Sequence, residues 1–133
     1  MLFSFITLVS CAGLGDYDID LPGNYSIVRT SAHQIKLAPK KGESSWGSDI
    51  IPAKIVEVAW DDNYILVKRL GLMTDPESNN GYQIPNAEKE SFWILEIENG
   101  DLLGPLSEEG FEIQKDKLGI SENVKLKKVE DLK

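Results

Sequence analysis

Residues 53–69 read AKIVEVAWDDNYILVKR, and this stretch predicts two β-strands joined by a tight turn. The first strand, residues 53–60, is rich in β-branched residues, and residues 64–69 have a similar composition. Asp61-Asp62-Asn63 lies between them, and short Asx side chains tolerate the backbone angles that a turn requires. We therefore expect an antiparallel hairpin at this position.

Alternation along the first of these strands predicts which side chains are buried. Val56, Val58 and Trp60 fall on one face, and Ile55 falls on the opposite face. Trp60 is therefore expected in the core, as is Trp93, which lies in a later apolar strand.

Further strands are predicted on both sides of this hairpin. Residues 25–30 and 33–37 have strand patterns and are expected to pair through a turn at Ser31-Ala32. Residues 92–98 form another apolar strand, and Asn99-Gly100 after it is a strong hairpin signal. The return strand begins at Asp101.

The C-terminal part predicts one helix. Ser107 is a suitable N-cap for a helix that runs to about Leu118, and Gly119 is suited to end it in the left-handed conformation. Gly110 lowers the stability of this helix. A short edge strand is expected at residues 124–127. The fold class is therefore α+β: an antiparallel sheet of about six strands in hairpins, with one C-terminal helix packed on a face.

Two long loops are expected, at residues 39–52 and 71–91. Loops of this length often carry function, and each contains an aromatic residue. Trp46 is flanked by small residues, so it is either an exposed binding anchor or a lid tucked against the sheet. The same two alternatives apply to Tyr82.

The N-terminal residues, MLFSFITLVSCAG, predict a secretory signal. The apolar run is shorter than the roughly 20 residues that span a bilayer, and Leu8-Val9-Ser10-Cys11 resembles the lipobox of bacterial lipoproteins. We expect residues 1–10 to be a signal peptide, Cys11 to be lipidated, residues 11–24 to be a tether, and residues 25–133 to form a single domain. This predicts a lipid-anchored protein on the outer face of the cell membrane.

No Lys or Arg precedes Cys11, which departs from the usual secretory signal. The alternative interpretation of these N-terminal residues is an apolar strand with a buried thiol.

The charge balance restricts the partners of the chain. It has 14 Lys and Arg residues against 22 Asp and Glu residues, a net charge of −8. Nucleic acids and anionic headgroups both repel such a domain, so we expect no nucleic-acid partner. The lipid on Cys11 is then expected to hold the chain on the membrane by itself.

No metal or cofactor site is predicted. Asp16, Asp18 and Asp20 alternate, but a calcium loop that began at Asp16 would need Gly and Glu where Leu21 and Ile27 stand. Solvated side chains are the favoured interpretation. The single histidine and the single cysteine also argue against a zinc site.

The only sequence feature that points to catalysis is weak. His33 lies two residues after Ser31, and both can face one side of an extended segment. A hydrolase also needs an orienting acid and an oxyanion hole, and no Gly-x-Ser-x-Gly motif is present. A surface histidine on a strand is the favoured interpretation, and no catalytic residue is predicted.

Several segments together resemble one known family. It consists of small Gram-positive lipoproteins described only as a domain of unknown function, and the resemblance covers nearly the whole chain. The segments that carry it are LVSCAGLGDY at residues 8–17, WGSDIIPAKI at 46–55, VAWDDNYIL at 58–66, FWILEI at 92–97 and GPLSEEGF at 104–111. The resemblance implies surface anchoring and a single domain, and it implies no activity, ligand or catalytic residue.

Three functions follow as hypotheses. The first is a non-catalytic surface module that binds a protein, a peptide or an envelope polymer through residues 40–52 and 71–91. The second is an inhibitor or immunity-type protein, whose acidic charge would suit a basic enzyme or toxin. The third is a small hydrolase that uses His33.

Overall fold

The computed structural model describes residues 17–43 and 45–132. Within these ranges the chain forms nine strands, one α-helix and a short 3-10 helix at Val129–Asp131. The strands are β1 Tyr17–Leu21, β2 Tyr25–Ser31, β3 Gln34–Gly42, β4 Ser45–Trp46, β5 Ile55–Trp60, β6 Tyr64–Thr74, β7 Gln83–Glu96, β8 Leu102–Leu106 and β9 Lys127–Lys128. The helix, α1, spans Glu108–Leu118. None of the described helices is long and apolar enough to cross a membrane.

The strands lie in two antiparallel sheets. The first sheet has the order β1-β2-β3-β4, and the second has the order β8-β7-β6-β5-β9. The α+β class and the C-terminal helix are thus confirmed, but the expectation of one sheet of about six strands is wrong. Strand patterns show that segments are extended, whereas which strands pair depends on contacts that are distant in sequence.

The second sheet separates two apolar cores, which makes the molecule three layers deep. One face of this sheet packs on the first sheet, where Ile27 and Leu37 meet Val58 and Leu95. The other face packs on α1, and the ring of Phe111 stacks on Phe92 at 4.9 Å between centroids.

The burial pattern of β5 differs from simple alternation. A bulge between Ile55 and Glu57 adds one residue to this strand relative to β6. As a result Ile55 and Val58 both point into the core between the sheets, although alternation predicted opposite faces for them. Trp60, expected to be buried, lies at the end of the strand and is 38% exposed.

The predicted tether is partly folded. Residues 17–21, which were expected to belong to it, form β1 at the edge of the first sheet, where Ile19 lies opposite Ile27. The sequence pattern did not predict this strand, because β1 contains Asp residues and Asp is uncommon in strands. Cys11 and Asp16 lie outside the described residues.

The predicted loop at residues 71–91 is mostly strand. β6 continues to Thr74, and β7 begins at Gln83, so the two form a long antiparallel ribbon. Residues 87–89 bulge out of β7, because Leu70 lies opposite Glu90 while Gly71 lies opposite Asn86. We call residues 71–86 the arm. The other predicted loop, residues 39–52, is likewise shorter, because β3 extends to Gly42 and β4 follows it.

Several local predictions are confirmed. Ser107 caps α1 by accepting a hydrogen bond from Gly110 N at 3.0 Å, and Gly119 ends the helix with φ +71°. The β5–β6 turn is held by Asp61 Oδ1, which accepts hydrogen bonds from the backbone N–H of Asn63 and of Tyr64. The expected C-terminal edge strand is present as β9, which begins three residues later than predicted.

Candidate binding site

One end of the molecule brings together segments that are far apart in sequence. Tyr17 lies opposite Arg29 on the neighbouring strand β2, and two residues further on Ser31 pairs with Gln34 across the β2–β3 turn. The start of β1 and this turn are therefore at the same end of the first sheet. We call it the Tyr17 end.

Lys54 connects the two sheets at the Tyr17 end. Its backbone exchanges hydrogen bonds of 3.0 and 2.9 Å with Leu70 of β6. Its Nζ lies 3.3 Å from Nδ1 of His33 in the β2–β3 turn. An ammonium group has only donors, so Nδ1 accepts this hydrogen bond and the neutral ring carries its proton on Nε2.

The surroundings of His33 favour its neutral form. Partial burial lowers the pKa of His33 below its ordinary value, and the charges of Lys54 and Arg29 lower it further. A catalytic histidine of the serine-hydrolase type instead has a carboxylate at Nδ1, which stabilises the imidazolium. At His33 the position of that acid is taken by an ammonium group.

The arm reaches the same turn from the second sheet. The ring of Tyr82 lies 6.0 Å from the ring of His33, and Tyr82 is 51% exposed. The tip of the arm is held by backbone hydrogen bonds, among them Asp75 N to Tyr82 O at 2.8 Å. Asn80 Oδ1 also accepts a hydrogen bond from the backbone N–H of Tyr82. The arm therefore presents a half-exposed aromatic ring beside the β2–β3 turn.

A groove of about 290 Å³ opens beside this contact, between the two sheets. Three cationic residues from three different segments line it: Arg29, Lys54 and Lys128. Tyr17, Glu57 and Glu130 also line it, and Ile35 and Ile55 contribute apolar surface. We call this cavity the groove.

Charged side chains of both signs line the groove. The guanidinium of Arg29 lies 5.5 Å from the ring centroid of Tyr17. Burial raises the pKa of Tyr17, with the charge of Arg29 lowering it and that of Glu130 raising it. Glu57 is engaged by Lys68, whose Nζ lies 3.7 Å from its carboxylate. The groove is therefore polar, with more cationic than anionic side chains along its walls.

Trp46 lies far from this site. It pairs with Lys40 on β3, six residues beyond Gln34, which corresponds to about 20 Å along a strand. Trp46 is partly buried, and its Nε1 is fully buried without a hydrogen bond to another described residue. Of the two predicted aromatic residues, only Tyr82 belongs to the Tyr17 end, so the two predicted loops do not form one surface.

The acidic residues of β1 that the structure describes do not form a metal-binding cluster. Asp20 accepts a hydrogen bond from Lys40 Nζ at 2.9 Å, and this bond lowers its pKa. Across residues 17–43 and 45–132 no group of three or more His, Cys, Asp or Glu side chains could hold a metal ion.

The sequence did not predict the two cations whose charges lower the pKa of His33. Lys54 and Arg29 both stand in strand-like segments, where a long charged side chain ordinarily points to solvent. Their approach to His33 depends on how the two sheets pack, and no local motif signals that packing.

Comparison with known proteins identifies a family and no activity. Residues 22–130 match a family model described as "Protein of unknown function (DUF3997)". No curated protein matches the chain significantly. No solved structure does so either.

Proposed function

We propose that this chain, which belongs to the DUF3997 family of proteins of unknown function, is a lipoprotein anchored through Cys11 whose domain is a non-catalytic binding module at the cell surface. The binding site is the Tyr17 end. The observation that carries the proposal is the contact of Tyr82 with His33, by which the arm of one sheet closes on a turn of the other beside a polar groove.

The arrangement suits binding more than catalysis. A site formed between two packed sheets is held in shape by the core behind it, and such preorganisation favours recognition. A half-exposed tyrosine supplies a large contact area at a low entropic cost. His33 is paired with a cation, which makes it a weaker base than an ordinary histidine.

The anchor supports this proposal from the sequence side. The apolar N-terminal run ends in Leu8-Val9-Ser10-Cys11 and precedes the domain in sequence. Cys11 is the only cysteine of the chain. Two acyl chains on one residue hold a protein durably, because each buried CH₂ contributes about 0.8 kcal/mol.

The anchor is tested by expression in a Gram-positive host, followed by intact mass measurement and membrane fractionation. Wild type should lose residues 1–10, gain the mass of a diacylglyceryl group and sediment with membranes. Cys11→Ala should do none of these, whereas Ser10→Ala, which keeps the thiol and a small residue, should behave like wild type. An unmodified wild-type chain would overturn the anchor.

A further inference from the structure

The Tyr17 end is also the end from which the chain runs towards Cys11. Five residues separate Cys11 from Tyr17, and a chain of this length spans at most about 20 Å. Tyr17 itself lines the groove. If Cys11 carries a lipid, the groove must therefore stay close to the headgroups of the membrane.

The groove offers donors that suit a phosphate group. Arg29 comes from β2, Lys54 precedes β5 and Lys128 belongs to β9, so three separate segments bring cations to one cavity. An ammonium group has three donors, and Lys54 uses one of them on His33. Hydrogen bonds from cations to a phosphate are among the strongest in proteins.

Net charge does not exclude an anion from this groove. The chain carries −8, but charges in solution are screened over about 8 Å at physiological ionic strength. Arg29 is already engaged, with its guanidinium over the ring of Tyr17, and Glu57 is engaged by Lys68, which leaves Lys54 and Lys128 against Glu130. The cations that line the groove, and not the net charge of the chain, therefore determine how the groove interacts with an anion.

We infer that the groove binds the phosphate headgroup of an anionic phospholipid in the membrane that carries the anchor. This inference rests on the proposed anchoring, which brings the headgroups within reach. The bound headgroup would orient the domain, with the groove towards the bilayer and the arm beside it. The headgroup contact thus adds an electrostatic element to the attachment that the lipid provides.

The probe is dihexanoylphosphatidylglycerol below its micelle concentration, titrated into the full chain in a neutral detergent. His33 is the only histidine, so its C2–H resonance is assigned without ambiguity, and it responds to the groove through its contact with Lys54. We expect a saturable shift of this resonance, and a much weaker response to dihexanoylphosphatidylcholine, whose choline offsets the phosphate charge. Equal responses to both lipids would overturn the inference, as would no saturable shift. If inorganic phosphate bound as tightly as the anionic lipid, this would contradict the inference that the ligand is a phospholipid headgroup.

Two double variants separate the groove from general charge. Lys54→Gln with Lys128→Gln should weaken binding at least about tenfold, because it removes two charged donors. Lys41→Gln with Lys117→Gln removes the same charge at exposed positions that do not line the groove, and it should bind like wild type. Equal loss in both would overturn the inference.

The outcome is separable from the fate of the anchor. Binding of the soluble lipid by a chain whose Cys11 is unmodified would support the groove and contradict the anchoring. A lipidated chain without lipid binding in the groove would contradict the inference alone.

Discussion

The Nζ of Lys54 lies 3.3 Å from the Nδ1 of His33. This contact links the segment that precedes β5 of the second sheet to the β2–β3 turn of the first sheet. Lys54 is 21 residues from His33 in sequence. The pair sits between the arm and the groove, so it reports on both.

The titration of His33 is the first prediction. Its pKa should lie below the ordinary value of about 6.5, because burial, Lys54 and Arg29 all disfavour the imidazolium. Lys54→Gln should raise the pKa, and Lys117→Gln on the distant helix should not change it. One-dimensional proton NMR of the single histidine measures all three values. A wild-type pKa at or above the ordinary value would contradict the contact.

The same shift predicts how stability depends on pH. Because the folded pKa is lower than the unfolded one, the unfolded chain binds more protons between the two values. Stability contributed by neutral His33 is fully present above about pH 6.5 and is lost as the pH falls through the folded pKa. Urea unfolding at pH 7.5 and 5.5 should show a larger loss for wild type than for His33→Gln. Equal losses would mean that His33 titrates normally.

The two partly buried tryptophans should respond differently to loss of the indole nitrogen. Trp93 Nε1 donates to Ser91 Oγ at 3.0 Å, whereas Trp46 Nε1 is buried without a partner among the described residues. Trp93→Phe should therefore cost about 1 kcal/mol more than Trp46→Phe. Chemical denaturation of both variants measures the difference. A greater cost at Trp46 would show that its nitrogen is hydrogen-bonded in solution.

Gly104 is required by close packing as well as by its backbone angle. It has φ +148°, and a Cβ at this position would lie 2.5 Å from Cε3 of Trp93. Gly119 also has a positive φ, but a Cβ there would meet nothing within 4 Å. We expect Gly119→Ala to cost about 1 kcal/mol from backbone strain, and Gly104→Ala to cost clearly more. Similar unfolding free energies for the two variants would contradict this packing of β8 on β7.

The N-cap of α1 supplies another stability test. Ser107 Oγ accepts the hydrogen bond of Gly110 N, so Ser107→Ala should lower the free energy of unfolding by about 1 kcal/mol. Ser107→Asp keeps an acceptor beside the positive end of the helix dipole and should restore most of the loss. If both variants lose the same stability, the cap contributes nothing in solution.

Local chemistry made part of this fold predictable. The cap at Ser107, the left-handed Gly119 and the turn at Asp61 each depend on residues within one turn of the chain. The strands were found where β-branched residues dominate, and they were missed in β1 and in the arm, where Asp, Pro and Asn interrupt the pattern. Such residues are typical of loops, but here pairing with a neighbouring strand outweighs their preference.

Long-range packing decided what the sequence could not predict. A bulge in β5 shifted the alternation, so Ile55 joined Val58 in the core. Trp60, at the end of the strand, is 38% exposed. The candidate site is of the same kind, because Tyr82 is 49 residues from His33 and meets it only because the arm of the second sheet reaches the β2–β3 turn. Of the site residues, Tyr82 was predicted from its loop setting, but its partner was not.

The distance of each end of the domain from the membrane tests the proposed anchoring and orientation most directly. A lipidated Cys11 leaves the wild-type chain without a free thiol, so one new cysteine can be labelled selectively. The two positions are Asn79→Cys at the tip of the arm and Glu98→Cys beyond the far end of β7, about 30 Å away by strand rise. In vesicles, energy transfer to a membrane dye should be clearly stronger from the label at position 79. Labelling of wild type at Cys11, or stronger transfer from position 98, would contradict a domain that is anchored at Cys11 with its Tyr17 end towards the membrane.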